Sequence, residues 1–574
     1  MKKLLVIFIL SLFLNINAMG AEPTLATKKP VPEESINEPA IAKEYLAGIF
    51  AARNNDYDEA ARLFLEASTK TPNDPFLIEN TYKLTLLSGA YKQSVEYAEK
   101  YLEYDKNSVN ALLLLAVNAV KEGDFHKASD ILSRIRLNNI DKKTISIEQL
   151  LLPFIKMWVI AGEGNYDLAL NTLDPHDSVS MVSAEFIILQ KALLLNLSGD
   201  KEGAKQAFDS LKSTKGIAPY HLAKSMAGFY ESIGQWGEAQ DIYERYRLQH
   251  PSEPHFENAE ARVKNKTTTG LYINNPKDGL TEVIKEAARL LFSSQVYNEG
   301  LVYVRLALML KPDDEEANIL LANFQEQHED WQKASALYNK IKKDSDLYTS
   351  SQINKAENLY RAGQKKEAKN LLLDIVKNTK DKFIPLVTLA DLYRKDNNFK
   401  EATKTYTKVL EIIDINIQSS WAIFFARGIC YERTNDWKKA EKDFLKALEL
   451  APNQPEAANY LAYSWIERNE KLEQARDMLL KAVVRRPSDP QILDSAGWAL
   501  YKMKDYNNAV VFLEKATEIL PQDGVMNDHL GDIYWKLGRR YEARYQWQRA
   551  IKYGAAESSS VAELNRKIEK GLDK

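Results

Sequence analysis

Cysteine is almost absent from this chain of 574 residues, which contains Cys430 and no other. A single cysteine cannot form an intramolecular disulfide, so the fold must be stabilised by packing alone. Cys430 follows Gly428 closely in a helical pattern, where we expect a buried, small apolar side chain and no reactive thiol. Because no cysteine lies near the N-terminal apolar run, the sequence has no lipobox cysteine for acylation.

Motifs that carry enzyme chemistry are missing as well. The seven histidines include no pair three or four residues apart and no HExxH arrangement, which argues against a metal site. The sequence has no GxxxxGK[ST] loop, no GxGxxG after a strand and no serine in a nucleophile-elbow context. We therefore predict a protein that is not an enzyme and that binds no metal and no cofactor.

Charge and long hydrophobic runs are also limited. The formal net charge is -3 and there is no basic tract, so nothing favours nucleic acid as a partner. The one long apolar run, residues 4–14, follows two lysines and is too short for the roughly 20 residues of a membrane-spanning helix. It precedes small residues, and this pattern predicts a signal peptide over residues 1–21. We expect an exported, periplasmic or envelope-associated protein without an integral membrane span.

A regular repeat is what the sequence does contain. Gly497 and Ala509 are followed 34 residues later by Gly531 and Ala543, and bulky residues recur with the same offset. Small residues are needed where two helices cross closely, and this period is typical of helix-turn-helix repeats of the tetratricopeptide (TPR) type. A single unit cannot bury its own apolar face, so neighbouring units must stack. The sequence predicts an all-α TPR superhelix of about 14 repeats, an α-solenoid.

The repeats fall into two predicted blocks. A Pro-, Glu- and Lys-rich stretch over residues 22–40 is expected to be a disordered tether. Six units occupy residues 41–254, and eight occupy residues 281–554. Between them, residues 255–280 lack the repeat pattern and contain turn sequences, so they are predicted to be a linker. Residues 555–574 are predicted to hold a polar helix that caps the last unit.

The first helix of each unit is expected to line the inner wall of the superhelix. Projecting the repeat spacing onto the last three units gives an aromatic and acidic strip: Asn459, Tyr463, Asp494, Trp498, Tyr501, Asp528, Asp532 and Trp535. Aromatic rings interspersed with hydrogen-bonding groups suit an extended peptide or a partner helix. The alternative is that some of these aromatic residues pack between units. We name the strip as the candidate partner-binding surface.

A family resemblance is visible at these residues. LDSAGWALYK, followed by NDHLGDIYWKLGRRYEARYQWQRAI, resembles the C-terminal signature of large Gram-negative envelope TPR proteins, often outer-membrane lipoproteins. NYLAYSWIER and GLTEVIKEAARLL also fit that group. The resemblance implies an adaptor that binds a periplasmic C-terminal processing protease and brings it clients. The missing lipobox cysteine departs from the group and leaves attachment to the outer membrane open.

The sequence therefore predicts a non-catalytic scaffold or adaptor in the cell envelope, whose partners are proteins. The resemblance favours recruitment or activation of a periplasmic protease. The alternative is a scaffold for an envelope assembly, secretion or polysaccharide machine.

Overall fold

The computed structural model describes residues 38–136, 146–173, 183–212, 219–250, 255–256, 258–268, 270–554 and 559–572, with side chains from residue 43 onward. These residues form α-helices and a short 3-10 helix, and no strand occurs among them. The predicted all-α, TPR-like solenoid is confirmed. The predicted signal peptide and most of the predicted tether, residues 1–37, lie outside the described residues.

The chain divides into two compact units, residues 1–381 and 382–574. The helices of the first unit are α1 Glu38–Arg53, α2 Tyr57–Lys70, α3 Pro75–Ser88, α4 Tyr91–Tyr104, α5 Val109–Lys121, α6 Phe125–Ser133, α7 Ile147–Gly162, α8 Tyr166–Asn171, α9 Ala184–Ser198, α10 Lys201–Lys212, α11 Tyr220–Ser232, α12 Trp236–Gln249, α13 Ala259–Asn265, α14 Pro276–Ser293, α15 Tyr297–Leu310, α16 Glu315–Gln327, α17 Trp331–Tyr338, α18 Tyr348–Arg361 and α19 Lys365–Asn378.

The helices of the second unit are α20 Phe383–Lys395, α21 Phe399–Ile412, α22 Trp421–Arg433, α23 Trp437–Leu450, α24 Pro455–Glu467, α25 Leu472–Arg485, α26 Pro490–Lys502, α27 Tyr506–Ile519, α28 Gly524–Lys536, α29 Arg540–Tyr553 and α30 Val561–Lys570. Apart from α13 and α30, the described helices form successive pairs joined by short turns.

Local sequence signals set where each helix begins and ends. Asp74, Asp489 and Asp523 accept hydrogen bonds from backbone N–H groups in the first turn of the following helix, which are otherwise unpaired at a helix start. The turn inside nearly every pair contains a residue with positive φ, such as Gly199 or Asn435. Glycine and asparagine adopt this backbone conformation at low cost, which keeps the turns short.

Close helix crossings explain the small residues of the repeat. Gly497 on α26 faces α27, and a Cβ atom there would lie 1.8 Å from Leu513 Cδ2 and 3.1 Å from the Ala509 carbonyl oxygen. Gly531 is covered in the same way by Trp547 of α29. A larger side chain at either position would force the two helices apart. These contacts give the repeat spacing of the sequence its physical cause.

The first unit is not an open stack, because α14 and α15 pack back onto earlier pairs. They contact α3, α5, α7 and α9, the first helices of four successive pairs. Gly279 of α14 lies against Trp158, where a Cβ atom would come within 2.3 Å of the indole ring. Tyr303 donates to Glu148 Oε1 at 2.8 Å, and Arg305 Nε donates to the Leu87 carbonyl oxygen at 2.7 Å. The chain itself covers the wall formed by these first helices.

The predicted linker differs from what the structure shows. Described residues between 255 and 280 include α13 and the start of α14, and they pack inside the first unit. Arg262 of α13 forms a two-pronged ion pair with Asp346, with N–O distances of 2.7 and 3.0 Å. The compact units divide between residues 381 and 382, inside the predicted second block. The reason is that buried charged contacts, invisible to the repeat pattern, hold this segment in place.

The start and the end of the repeat region also differ in detail from the predictions. Helix α1 begins at Glu38, so residues 38–40 of the predicted tether are helical. Within the predicted cap, α30 covers Val561–Lys570 and buries Leu564 and Lys567. None of the described helices is long and apolar enough to cross a membrane.

Candidate binding surface

An open groove lies in the second unit, along the first helices of four successive pairs. Its lining residues come from α22, α24 and α26 and from the start of α28, and it encloses about 560 Å³. Half-buried Tyr460 and Tyr463 of α24 contribute aromatic surface. Met526 is among the buried apolar residues of the wall. We call this feature the α24 groove.

Three residues of the predicted strip line the α24 groove: Asn459, Tyr463 and Asp494. The amide oxygen of Asn459 is buried and accepts no hydrogen bond from the described part of the chain. An unpaired buried polar atom costs free energy, and such atoms are rare in folded proteins. A ligand that donates to Asn459 would remove that cost.

Asp494 is buried and already paired within the chain. Its carboxylate oxygens lie 3.0 and 3.2 Å from His529 Nδ1 of α28. His529 in turn stacks on Trp498, with ring centroids 3.9 Å apart. Trp498 also stacks on Tyr501 at 4.6 Å, and its Nε1 donates to Glu467 Oε1 at 2.7 Å. In the structure, therefore, Asp494 and Trp498 make contacts between neighbouring pairs, and Tyr501 stacks on Trp498 within α26.

The remaining three predicted residues contact the C-terminal end of the chain. Lys567 of α30 lies 2.7 Å from Asp528 Oδ1 and 2.8 Å from Asp532 Oδ1, and all three side chains are buried. Trp547 Nε1 donates to Asp532 at 2.9 Å. Trp535 packs against Gly571, where a Cβ atom would come within 1.7 Å of the indole ring. The two carboxylates are thus held by a lysine of the same chain.

Partner binding by the eight predicted residues stays a prediction, and the structure separates them into two groups. Asn459, Tyr463 and Asp494 line the α24 groove, and Asp494 is also paired with His529. The other five residues make contacts within the chain. Sequence reasoning missed Tyr460 and the groove residues Arg433 and Arg468. A signal was present, because the dipeptide Glu-Arg occurs at residues 432–433 and again 35 residues later, close to the repeat period.

The ion pair of His529 predicts a pH dependence of stability. Burial opposes protonation of His529, but Asp494 outweighs it, helped by Asp528 and Asp532 on the same helix, and the pKa of the imidazole is raised above its usual range. A raised pKa in the folded state means that the stabilisation is complete below the unfolded pKa of about 6.5 and is lost as the pH rises through the folded value. We expect hydrogen exchange in α26 and α28 to speed up over that pH window.

The His529→Gln variant should lack this extra pH dependence because glutamine does not titrate. Exposed His126 on α6, whose side chain is 85% accessible, offers a matched control as His126→Gln. Two cations are placed near this pair: Lys567 of α30 balances Asp528 and Asp532, and Lys502 lies over the ring of Trp498, 5.0 Å from its centroid. An identical pH profile for wild type and His529→Gln would show that the pair contributes no pH-dependent stability.

Comparisons with known proteins agree with this architecture. Models of the tetratricopeptide repeat match residues 386–415, 421–454 and 490–523, all in the second unit. A stretch of 81 residues is 36% identical to a TPR repeat-containing protein of Pseudomonas aeruginosa. That stretch spans 14% of this chain and 14% of the relative. The chain therefore carries tetratricopeptide repeats, a scaffold for interactions between proteins, and none of the matched models describes an enzyme.

The solved structures that match this chain are much more distant in sequence. Yeast Tom70 is 16% identical, with 92% of this chain and 94% of that chain covered and a TM-score of 0.33. The Cut9-Hcn1 hetero-tetramer of the APC/C is 13% identical, with 93% and 97% covered and a TM-score of 0.37.

Among the described residues, no cluster of three His, Cys, Asp or Glu side chains is placed to hold a metal ion. Cys430 is fully buried, and burial raises the pKa of its thiol to about 11.

Proposed function

We propose that this tetratricopeptide-repeat protein is an exported adaptor that holds a segment of a partner protein in the α24 groove. The observation that carries the proposal is the groove itself, which is open, presents the rings of Tyr460 and Tyr463, and is lined by the Asn459 amide oxygen, which accepts no hydrogen bond from the described part of the chain. The first unit offers no equivalent wall on α3, α5, α7 and α9, since α14 and α15 cover those helices. Aromatic surface with a few placed polar groups is the usual composition of a peptide site.

The proposed location is the periplasm or the envelope, and the proposed partner is a periplasmic C-terminal processing protease with its clients. Support for the location comes from the two lysines and the apolar run of residues 4–14. Support for the protease comes from the resemblance of the last repeats to envelope TPR adaptors. Affinity purification of the tagged protein from envelope extracts, followed by mass spectrometry, tests the partner. Recovery of synthases or secretins in place of a protease would contradict the adaptor role.

Export predicts a defined mature N-terminus. We expect the chain recovered from cells to begin between Met19 and Glu22, because small residues suited to cleavage follow the apolar run there. Cell fractionation with N-terminal sequencing measures this. A cytoplasmic pool that retains Met1 would refute the proposed location but would leave the groove unaffected.

The α24 groove offers a variant that should weaken partner binding with little effect on folding. Asn459→Ala removes an amide oxygen that accepts no hydrogen bond within the described chain, so the folded state should lose little. If the partner donates to that oxygen, capture should weaken about fivefold, since a hydrogen bond in a protein contributes on the order of 1 kcal/mol. Binding curves and thermal melts on the same variant separate binding from stability.

Gln548→Ala is the matched control, because it removes an exposed amide from α29, outside the groove. Equal capture by wild type, Asn459→Ala and a second groove variant, Tyr463→Ala, would place the partner elsewhere on the protein.

A further inference from the structure

The charged side chains of the α24 groove are unevenly distributed along it. The ends of α22 and α24 contribute two carboxylates and two guanidinium groups, those of Glu432, Glu467, Arg433 and Arg468. Helix α26 and the start of α28 contribute the carboxylates of Asp494 and Asp523, and no lysine or arginine of the described lining lies there. Four carboxylates against two guanidinium groups give a formal charge of -2, and this excess arises at the second end, which we call the acidic end.

The two arginines are engaged by groups at their own end of the groove. Arg433 lies 3.7 Å from one oxygen of Glu432, and Arg468 lies 4.0 Å from the other. The guanidinium of Arg468 also lies over the ring of Trp437, 4.3 Å from the centroid. The two arginines are balanced by Glu432 and Glu467 on the same two helices, so the excess of negative charge remains at the acidic end.

The acidic end offers hydrogen-bond acceptors that the chain does not use. Asp523 Oδ1 accepts from the Met526 backbone N–H at 2.9 Å, and its other oxygen accepts no hydrogen bond from the described residues. Both oxygens of Asp494 share one donor, His529 Nδ1, although a carboxylate has about four lone-pair sites. In the same groove, the buried amide oxygen of Asn459 accepts no hydrogen bond from the described part of the chain. A ligand that donates N–H groups would satisfy these atoms.

Protonation of His529 does not remove the negative charge of the acidic end. An imidazolium at His529 balances Asp494, with which it is paired. Asp523 forms no ion pair with the described residues, because its one side-chain contact is the hydrogen bond at the start of α28. One uncompensated carboxylate therefore remains at this end even when His529 is charged.

The acidic end also presents apolar surface. Val525 and Met526 at the start of α28 line it, and Tyr463 of α24 adds an aromatic ring to the groove. Lysine and arginine side chains bury their methylene stems on apolar surface and keep the charged head among polar groups. An N-terminal amino group has the charge but no stem. A basic side chain therefore matches both the charge and the apolar surface of this end.

We infer that the partner segment is basic, and that a lysine or arginine side chain within it occupies the acidic end, where Asp494, Asp523 and the Asn459 amide oxygen accept its N–H groups. This inference rests on the proposed function, since it names the chemistry of the segment that the groove takes. The charge comes from a side chain and not from the N-terminus of the partner, because only a side chain brings a stem for Val525 and Met526 to cover.

Selection from a random library tests the inference on the full mature protein. Decapeptides displayed between two fixed flanks, so that neither terminus is free, are selected on the wild type, and sequences that also bind Tyr463→Ala are discarded. We expect the groove-dependent sequences to be enriched in Lys and Arg. Synthetic versions, acetylated at the N-terminus and amidated at the C-terminus, are then measured by fluorescence anisotropy.

Asp523→Asn should weaken the binding of these peptides about tenfold, because a hydrogen bond between charged groups is lost. Asparagine caps helices as well as aspartate does, so α28 should keep its start. Asp505→Asn is the matched control, because Asp505 caps α27 by accepting from the Asn508 backbone N–H and lies outside the groove. This control should change the affinity by less than about twofold. Thermal melts of both variants report the fold.

Changes of charge on either side of the contact give a second measurement. Replacing the basic residue of the peptide by methionine removes the charge and keeps a stem. It should cost the wild type about tenfold and Asp523→Asn less than about threefold, since both changes remove the same contact. Exposed Gln491 lines the acidic end, and Gln491→Glu should strengthen binding about threefold, whereas Gln491→Lys should weaken it by as much.

Three results would overturn the inference. Groove-dependent peptides that are neutral or acidic would refute the basic segment while leaving the groove as a peptide site. Unchanged affinity for Asp523→Asn, or tight binding by peptides with a free N-terminal amine and no Lys or Arg, would remove the basic side chain from the acidic end. A selection that yields no groove-dependent peptide, together with partner capture unaffected by Asn459→Ala, would refute the proposed function and this inference with it.

Discussion

Trp498→Ala should lower the free energy of unfolding of the second unit by about 3 to 5 kcal/mol, the usual cost of truncating a buried tryptophan. The side chain is 8% exposed, stacks on His529 and Tyr501, and donates to Glu467. Removing it leaves a cavity where α24, α26 and α28 meet. Urea unfolding and hydrogen exchange of these helices measure the loss.

Tyr541→Ala is the matched control for this variant. Tyr541 lies on α29 and is 87% exposed. The substitution removes an aromatic ring without opening a cavity, so the free energy of unfolding should change by no more than about 0.5 kcal/mol. If Trp498→Ala instead left stability unchanged and abolished partner capture, Trp498 would belong to the binding surface, as the predicted strip has it.

Lys285→Met should destabilise the first unit by about 3 to 5 kcal/mol, because it removes one partner from a buried ionic network. Lys285 is 3% exposed, and its Nζ lies 3.1 Å from Glu282 and 3.0 Å from Glu316. Asp314 is a third carboxylate in contact with Lys285, 3.3 Å from its Nζ. Arg289 pairs with Glu282 and Glu316, so the variant leaves three negative charges facing one cation. Denaturant unfolding followed by probes in α14 and α16 measures the effect.

Two further variants test this explanation. Lys340→Met removes an exposed lysine of the same unit and should change stability little. Adding Glu316→Gln to Lys285→Met should recover part of the loss, since it removes one of the uncompensated charges. A double variant less stable than Lys285→Met would mean that hydrogen bonding and packing, and not charge balance, set the cost.

The pairing of helices could be predicted from the sequence because the information is local. Gly497 with Ala509 and Gly531 with Ala543 report crossings between helices that are neighbours in the chain. The packing of α14 and α15 onto α3 to α9 leaves no periodic signal. One feature of the sequence does indicate this packing: α15 is apolar on nearly every face, and residues 300–304 and 306–310 are all buried. A helix that is hydrophobic on all sides is expected to be buried, so the burial of α15 could have been predicted from its sequence.

Prediction of the candidate binding surface from the sequence has a similar limit. Asn459 and Tyr463 were chosen by their position in the repeat, which fixes the side of a helix that faces the wall, and both line the α24 groove. The same rule could not reveal that Asp528 and Asp532 are satisfied by Lys567, which follows them by 39 and 35 residues and lies beyond the last repeat. Charge in a sequence does not say which partner neutralises it.

The return of α14 and α15 onto the early pairs also affects how the first unit is made. Its hydrogen bonds join residues 155, 218 and 241 positions apart, whereas an open stack of repeats relies on contacts between neighbours. Loops of that length must close before these contacts form, which slows folding. During synthesis the apolar wall of α5 and α7, which end at Lys121 and Gly162, stays exposed until α14 and α15, residues 276–310, have emerged. The first unit is thus the part of this chain that most needs a chaperone while it is being made.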